Sequence, residues 1–395
     1  MSRGRLLLVL AGVNLLNYID RQVPFAVFPP LKAELGLSDT QLGLLASAFM
    51  WVYLSAAPAF GLLADRWSRP GLVGLGVALW SAATAYSAAA RSYAELFLTR
   101  AVVGVGEASY GSIAPAMLSD AFPAERRGRA LALFSMAIPV GSALGYVLGG
   151  AFERALGWRA AFLLVGAPGL LLAWLVARLP DVPRGGGAAP RPGRAAYRAL
   201  LRTPSYWLNC LGMTAMTFAI GGLAAWVPTY LVRVRGMDLA GANLTFGLLT
   251  LVSGIGGTLA GGWLGDLLQR RVASAYFLVS GVGLALSVPF AAAVILLDSR
   301  TAVLAGIFLA EVCIFLNTGP LNAIIAAVSP PEVRATAYAL NIFIIHALGD
   351  AVSPTIVGMV SDRVGLGAAF WIAPGSLALA AAFCFWGMRH YAADA

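Results

Sequence analysis

The chain consists mainly of twelve long apolar segments, separated by short loops in which arginine, proline and glycine are frequent. An α-helix needs about 20 apolar residues to cross the hydrocarbon core of a bilayer, and most of the segments are that long. Their apolar residues do not alternate with a period of two, which excludes a transmembrane β-barrel. The sequence therefore predicts an all-α polytopic membrane protein with transmembrane helices at about 6–28, 40–63, 71–90, 95–119, 129–152, 159–178, 205–232, 241–265, 273–297, 302–328, 334–360 and 367–388.

The composition argues against several other classes of protein. Hydrophobic residues make up 59% of the chain and charged residues 11%, which is too little charge to cover a soluble globular protein. The one lysine does not stand in a Walker A sequence, and two histidines cannot form a multi-histidine zinc site or support a Ser-His-Asp set. The three cysteines all lie in apolar segments. We therefore expect no metal, no cofactor and no enzymatic activity.

The positive charge of the chain predicts its orientation in the membrane. The net charge is +9, but the arginines fall in short loops rather than on one soluble face, so topology explains them better than nucleic acid does. With the N-terminus inside, 17 of the 27 lysines and arginines lie on the inside and 8 on the outside. Both termini are therefore predicted to be cytoplasmic. The chain length suits an integral protein of a bacterial inner membrane.

Two sequence patterns recur in the two halves of the chain. Gly61-x3-Asp65 follows the second segment, and a matching Gly-x3-Asp begins at Gly262, 201 residues later. Pro123-x-Glu-x-Arg precedes the fifth segment and recurs at Pro330, 207 residues later. The near-equal offsets indicate a duplication. We expect two pseudo-symmetric six-helix bundles, residues 1–178 and 204–395, joined by a cytoplasmic linker rich in Pro, Gly and Arg at residues 179–203.

Four charged residues stand inside the predicted helices of the first half. Asp20 and Arg21 lie in the first helix, and Arg100 and Glu107 share one face of the fourth. An ionised side chain at the bilayer centre costs roughly 2.5 to 3.5 kcal/mol on insertion scales, so these residues should find partners or a water-filled cavity. We predict one acid–base network that couples protons to substrate binding, with Asn17 and Tyr110 beside it. The alternative is a permanently ionised brace between the two helices.

The second half offers three further candidates for proton coupling or substrate binding. Glu311 lies in the tenth helix, and His346 and Asp350 are four residues apart in the eleventh. Histidine titrates near physiological pH, which makes His346 a candidate second proton site. The alternative is that His346 only hydrogen-bonds to a neighbouring helix.

Several strings of residues resemble one family of transporters. Gly-Leu-Leu-Ala-Asp-Arg-Trp-Ser-Arg at 61–69 is similar to the G-x3-D-R-x-G-x-R signature of the major facilitator superfamily, with Ser68 where the second glycine is usual. Within that superfamily, Asn-Tyr-Ile-Asp-Arg at 17–21, Thr-Arg-Ala-Val-Val-Gly-Val-Gly-Glu-Ala-Ser-Tyr at 99–110 and Ala-Ile-Pro-Val-Gly-Ser-Ala-Leu-Gly-Tyr at 137–146 resemble the Spinster group. The resemblance implies the twelve-helix major facilitator fold and transport of sphingosine-1-phosphate or lysophospholipids.

The resemblance also suggests how the cytoplasmic side is gated. In the superfamily the acid at the position of Asp65 docks onto the opposite bundle when the cytoplasmic side is closed. We therefore expect Asp65 and Arg129, together with Arg66 and Arg69, to act in gating; the alternative for Arg66 and Arg69 is that they only fix topology.

Glycines every four residues form a ridge in the fifth segment, from Gly141 to Gly149, and another in the eighth, from Gly257 to Gly265. In the superfamily these two helices meet across the bundles, so we expect the ridges to form the surface on which the bundles rock. Ordinary packing of neighbouring helices is the alternative.

These features together predict a secondary active transporter that works by alternating access. We expect it to be proton-coupled and to carry an amphiphilic anion, such as a lysophospholipid or a sphingoid phosphate. Its other partners are expected to be protons and membrane lipids, and we expect it to be a monomer. The alternatives are a proton-coupled exporter of drugs or small metabolites and a lipid scramblase or uniporter.

Overall fold

The computed structural model describes residues 3–182 and 193–394, without the side chains of residues 124 and 125. Regular structure in these ranges is helical throughout. The helices of the first half are α1 Arg3–Ala26, α2 Phe28–Leu35, α3 Asp39–Ala64, α4 Arg69–Ser87, α5 Tyr93–Ala121, α6 Ala124–Ser135, α7 Ala137–Leu156 and α8 Trp158–Ala177.

The second half continues with ten helices. They are α9 Arg194–Leu201, α10 Pro204–Arg233, α11 Leu239–Gln269, α12 Ala275–Leu296, α13 Arg300–Phe315, α14 Thr318–Val328, α15 Arg334–Ile345, α16 Ser353–Val364, α17 Leu366–Ala369 and α18 Ile372–Asp394. A 3₁₀ turn at Pro331–Val333 and a π-helix at His346–Asp350 precede and follow α15.

Within the described ranges, nine helical runs are long and apolar enough to cross a membrane. They comprise α3, α6 with α7, α8, α10, α11, α12, α13 with α14, α15 with α16, and α17 with α18. The less apolar helices α1, α4 and α5 bring the number to the twelve that the sequence predicts. Two of these three, α1 and α5, contain the charged residues of the predicted network.

The described residues fall into two compact units, divided as Met1–Gly187 with Ala224–Leu248 and Ala188–Leu223 with Leu249–Ala395. Helices α10 and α11 therefore each contribute residues to both units. Residues 183–192 of the predicted linker lie outside the described residues, so the predicted domain boundaries stay a prediction.

Proline and glycine break two of the predicted continuous segments. The helix α14 begins with Thr318-Gly319-Pro320, and α13 ends just before it, with Leu316 as its C-cap. Pro354 stands in the first turn of α16, after the π-helix. Proline has no backbone N–H to donate and clashes with the preceding turn, so it is tolerated at a helix start and ends the helix before it.

The backbone repeats between the two halves as the sequence does. The glycines with positive φ in the described ranges are Gly36, Gly157, Gly236 and Gly365, with φ of 64°, 83°, 67° and 87°. The first and third are 200 residues apart, and the second and fourth are 208 apart. Each of these offsets differs by one residue from an offset of the repeated sequence patterns, 201 and 207. Because a side chain at positive φ is strained, glycine is favoured at each of these corners.

The glycines of both ridges face helices of their own units, which corrects the expectation that the ridges form the surface on which the bundles rock. A Cβ at Gly145 would lie 2.6 Å from the carbonyl oxygen of Ile19 in α1. In the second half, a Cβ at Gly257 would lie 2.7 Å from the carbonyl oxygen of Val312 in α13. The missing side chains therefore allow α7 to approach α1 and α11 to approach α13. This is the ordinary packing that the sequence left as the alternative.

Candidate functional site

Helices α1 and α5 bring together the four charged side chains of the predicted network. Arg21 Nε donates to Glu107 Oε2 at 2.7 Å. Arg100 Nη1 lies 3.5 Å from Asp20 Oδ1. Each arginine thus pairs with an acid on the other helix. Asp20, Arg100 and Glu107 are at most 3% exposed, so the first unit holds two ion pairs in its interior.

Two other helices contribute to the same cluster. Thr84 of α4 donates from Oγ1 to Asp20 Oδ2 at 2.6 Å. The ring of Phe49 in α3 has its centroid 4.9 Å from Arg21 Cζ and 5.3 Å from Arg100 Cζ, so one aromatic ring contacts both guanidinium groups. Two further rings have centroids 5.1 Å from Arg21 Cζ, those of Tyr18 and Tyr53.

Glycine in α5 places Phe49 close to the charged residues. A Cβ at Gly104 would lie 2.5 Å from the carbonyl oxygen of Phe49, closer than a side chain can approach. Gly104 lies between Arg100 and Glu107 on the helix face that the sequence predicted to carry all three. The small residue therefore lets α3 pack directly against the charged face of α5.

The cluster leaves part of its hydrogen-bonding capacity unused. Asp20 Oδ1, Glu107 Oε1 and Arg100 Nε and Nη1 are buried without a hydrogen-bond partner in the described structure. Removing one partner of a buried ion pair typically costs 3–5 kcal/mol, because the other charge is left uncompensated. A change of protonation on either acid would therefore strongly favour rearrangement of the arginine beside it.

Asn17 and Tyr110 lie close to the network in sequence but differ in their contacts. Asn17, one turn before Asp20, is 3% exposed, and its Nδ2 has no hydrogen-bond partner in the described structure. Tyr110 is 2% exposed and donates to the carbonyl oxygen of Leu10 at 2.7 Å. Its ring packs edge-on against Trp80, with centroids 5.9 Å apart. Tyr110 thus fixes α5 against α1.

Glu311 of α13 lies in the second unit with two hydroxyl partners. Thr250 Oγ1 donates to Glu311 Oε1 at 2.8 Å, and Ser253 Oγ donates to Oε2 at 2.9 Å. Both hydroxyls come from α11, three residues apart on one face. In the described structure Glu311 forms no ion pair, so its contacts differ from those of the acids of the first unit.

His346 and Asp350 form a pair of their own in the second unit. His346 Nδ1 lies 2.9 Å from both carboxylate oxygens of Asp350. The two residues begin and end the π-helix, where the sequence alone predicts an α-helix. A Cβ at Gly221 of α10 would lie 2.5 Å from the Asp350 Cβ, so α10 approaches the π-helix closely. Single π-helical turns of this kind often occur at functional sites.

The predicted gating residues divide into two kinds. Asp65, Arg66 and Arg129 are exposed, and Asp65 caps the end of α3. Arg69 is 5% exposed, and its Nη1 donates to Asp120 Oδ2 at 2.7 Å. Its Nε donates to Asp181 Oδ1 at 3.3 Å, and its Nη2 donates to a third acceptor, the carbonyl oxygen of Val182. Arg69 therefore ties the start of α4 to the end of α5 and to the segment that follows α8.

A second charged cluster in the first unit was missed from the sequence. Asp39, at the start of α3, is 1% exposed and accepts from Lys32 Nζ at 2.6 Å and from Arg233 Nη1 at 2.8 Å. Arg233 is the last residue of α10. Only the position of Asp39 behind the helix cap Ser38 is visible in the sequence, and it does not reveal a partner 194 residues away.

The described ranges contain no group of three or more His, Cys, Asp and Glu side chains arranged to hold a metal ion. The three cysteines are buried and free.

Comparison with known proteins identifies the family. Residues 10–354 match the Major Facilitator Superfamily. Protein spinster homolog 1 of Xenopus laevis is 35% identical over 405 residues, covering 96% of this chain and 77% of that protein. A solved structure of a bacterial homolog to the human lysosomal transporter Spinster, in an inward-facing and unoccupied conformation, has a TM-score of 0.88 and 26% identity, covering 99% of this chain and 98% of the other.

A second solved structure supports the fold alone. The D-xylose–proton symporter has a TM-score of 0.76 at 17% identity and covers 98% of both chains. The predicted twelve-helix major facilitator fold is confirmed, and the protein is an integral membrane transporter rather than an enzyme. The chain belongs to the Major Facilitator Superfamily and, within it, to the Spinster family.

Proposed function

We propose that the protein is a proton-coupled transporter of an amphiphilic anion, a lysophospholipid or a sphingoid phosphate, and that it works by alternating access. The observation that carries the proposal is the pair of crossed ion pairs, Asp20 with Arg100 and Arg21 with Glu107, buried between α1 and α5.

Protonation of an acid in this cluster frees the arginine that it holds. A neutral Glu107 no longer compensates Arg21, and a phosphate can take its place in bidentate fashion. Arg21 is the better placed of the two arginines, because its side chain is 18% exposed and that of Arg100 is 4% exposed. Proton binding and anion binding would then occur together at one site.

The surroundings of Arg21 favour a ligand with both a charged and an apolar part. The rings of Tyr18, Phe49 and Tyr53 lie about its guanidinium group. A phosphate head group would meet the cation, and the start of an acyl or sphingoid chain would lie along the rings. Asn17 Nδ2 offers a further buried donor, and Tyr110 maintains the spacing of α1 and α5.

We assign the acids of the second unit and the cytoplasmic residues to supporting roles. Glu311 and the His346–Asp350 pair are candidate second proton sites, and Asp65, Arg66, Arg69 and Arg129 act in gating. The protein is proposed to be a monomer in a bacterial inner membrane, with both termini in the cytoplasm, following the distribution of its arginines.

The relatives support the transporter part of the proposal. The names of the matched proteins point to Spinster transporters, and the symporter of the same fold moves protons with its substrate. An exporter of small polar metabolites would have less use for three aromatic rings about one arginine. A scramblase or uniporter would have no use for the buried acids as proton carriers.

The test is uptake of a labelled lysophospholipid into liposomes that contain the purified protein, with and without an imposed pH gradient. We expect the gradient to stimulate uptake by the wild type and not by Asp20→Asn. Glu95→Gln is the matched control, because Glu95 lies at the outer start of α5 and accepts from the backbone N–H of Arg91, which an amide oxygen can also do. Gradient-independent uptake by the wild type would contradict proton coupling, and competition by small metabolites but not by long acyl chains would contradict the lipid substrate.

A further inference from the structure

The short helix α9 presents a row of arginines that the transport mechanism does not use. Arg194, Arg198 and Arg202 follow at intervals of four residues, so they lie on one side of the helix and its C-terminal cap. All three are exposed. Of the carboxylates that the structure describes, none forms an ion pair with any of the three. The row spans about 12 Å at 1.5 Å per residue.

The arginine row is unfavourable for the helix by itself. Like charges four residues apart repel each other, and Arg194 stands at the positive end of the helix dipole, with no acidic residue in the first turn. An anionic partner would remove both costs. The preference for basic residues in cytoplasmic loops explains arginines in this segment but not their alignment along one side of a helix.

The opposite side of α9 is fixed to the second unit. Leu200 is 1% exposed and belongs to the apolar core of that unit, with Ala196 packed beside it. The same core contains Val333, from the 3₁₀ turn before α15. Trp207 Nε1 donates to the carbonyl oxygen of Leu201 at 2.9 Å and holds the end of the helix. The helix that carries the three arginines is therefore held in place against the second unit.

The flank of α9 between these two sides is apolar and exposed. Tyr197 is 37% exposed and Leu201 is 54% exposed, one turn apart. Arg202 stands two residues before Pro204, where the membrane-spanning helix α10 begins. The chain thus places α9 at the level where lipid head groups meet the hydrocarbon. A helix with basic and apolar sides at this level is typical of one that lies in the membrane interface.

We propose that α9 is an interfacial helix that binds the phosphate head groups of anionic phospholipids in the adjacent leaflet. Arg194, Arg198 and Arg202 contact the head groups, and Tyr197 and Leu201 enter the outer part of the acyl layer. The occupant is a bilayer lipid at the surface of the protein and is separate from the transported molecule, because these residues lie in α9 and the ion-pair cluster lies in α1 and α5.

The test compares binding of phosphatidylglycerol and phosphatidylcholine, with the same acyl chains, to the full-length protein in detergent by native mass spectrometry. Each basic residue near an anionic surface contributes a factor of about five in affinity. We expect the wild type to prefer phosphatidylglycerol. In the triple variant Arg194→Gln, Arg198→Gln, Arg202→Gln, the ratio of phosphatidylglycerol to phosphatidylcholine affinity should fall at least tenfold. The triple Arg→Lys variant should keep it, which separates loss of charge from misfolding.

The matched control removes the same charge elsewhere on the second unit. Arg270, Arg271 and Arg389 are exposed, and changing all three to Gln lowers the net charge by the same amount. The preference should survive in this control. An equal loss of the preference for phosphatidylglycerol in the control would show that diffuse surface charge binds the lipid and would overturn the site. An unchanged preference in the α9 triple variant would also overturn it. Displacement of phosphatidylglycerol by millimolar inorganic phosphate would overturn the lipid assignment in favour of a soluble anion.

Discussion

A single methyl group added to α7 should disturb the ion-pair cluster from the opposite side of α1. Gly145 faces Ile19, the residue before Asp20. A Cβ at position 145 would lie 2.6 Å from the Ile19 carbonyl oxygen and 2.7 Å from the Gln22 Cβ. Gly145→Ala therefore requires α1 and α7 to separate beside the charged residues.

The size of the effect follows from the distances. Real Cβ contacts shorter than 3.0 Å are essentially absent and ordinary ones begin at 3.4 Å, so the Ile19 carbonyl must move by about 0.4 to 0.8 Å. Overpacking of this kind costs about 1–3 kcal/mol. Replacing glycine by alanine inside a helix by itself stabilises the folded protein by roughly 0.5–1 kcal/mol. We expect a net loss of about 0.5–2 kcal/mol in the free energy of unfolding.

The same movement should impair transport. Asp20 accepts from Thr84 at 2.6 Å and faces Arg100 at 3.5 Å, so a shift of α1 of this size misaligns both contacts. The assays are thermal unfolding in detergent and gradient-driven lysolipid uptake in liposomes. Gly12→Ala is the control. Gly12 also lies in α1, and a Cβ there would meet no atom within 4 Å. This variant should be neutral or slightly stabilising and fully active.

Two outcomes would refute this reasoning. Gly145→Ala with the stability and uptake of the wild type would show that α7 does not set the position of α1. Equal impairment in Gly12→Ala would show that α1 does not tolerate alanine for some reason other than contact with α7.

Two further predictions concern residues outside the cluster. Arg69→Ala should lower the free energy of unfolding by an amount toward the lower end of about 3–5 kcal/mol, because it leaves two partly exposed carboxylates without their cation. Denaturation of the wild type, of Arg69→Ala and of Arg69→Lys measures this loss, which should be smaller for Arg69→Lys. A hydrogen bond from Trp158 and the guanidinium of Arg159 lower the pKa of Glu34 in the short helix α2. The stabilising contribution of Glu34 is therefore complete above the unfolded pKa of about 4.3 and is lost as the pH falls through the lower folded pKa. The difference in thermal stability between the wild type and Glu34→Gln should therefore shrink as the pH falls below about 5, and a difference that grows on acidification would contradict the prediction.

The sequence predicts the fold well because the membrane leaves few alternatives. Apolar length, arginine-rich loops and repeated loop motifs were enough for twelve helices in two related halves. The breaks within spans were harder to predict. Pro354 is visible in the sequence, but the π-helix before it lies where α10 approaches closely at Gly221, and local sequence does not reveal such a tertiary contact.

The candidate site could be predicted in its members but not in its pairing. The four-and-three spacing of Arg100, Gly104 and Glu107 places them on one face of α5, and the cost of buried charge requires partners for Asp20 and Arg21. Which acid faces which base depends on the rotation and depth of two helices, and local sequence does not specify either.

The misses have the same cause. Phe49 resembles any apolar residue of a membrane helix until Gly104 brings α3 against α5. The glycine ridges have a pattern that allows close approach but does not name the partner. The expectation that α7 and α11 meet is correct, because a Cβ at Gly247 of α11 would lie 2.8 Å from the carbonyl oxygen of Ala143 in α7, but the ridge glycines themselves face α1 and α13.

The most direct test of the account is proton movement triggered by the substrate. A pH-sensitive dye enclosed in liposomes with the purified protein reports proton flux when lysophospholipid is added without an imposed gradient. We expect a substrate-dependent pH change for the wild type and for Glu95→Gln, and none for Glu107→Gln, because the amide of that variant cannot exchange a proton beside Arg21. An unchanged proton flux in Glu107→Gln and in Asp20→Asn would show that the crossed ion pairs of α1 and α5 do not couple protons to transport.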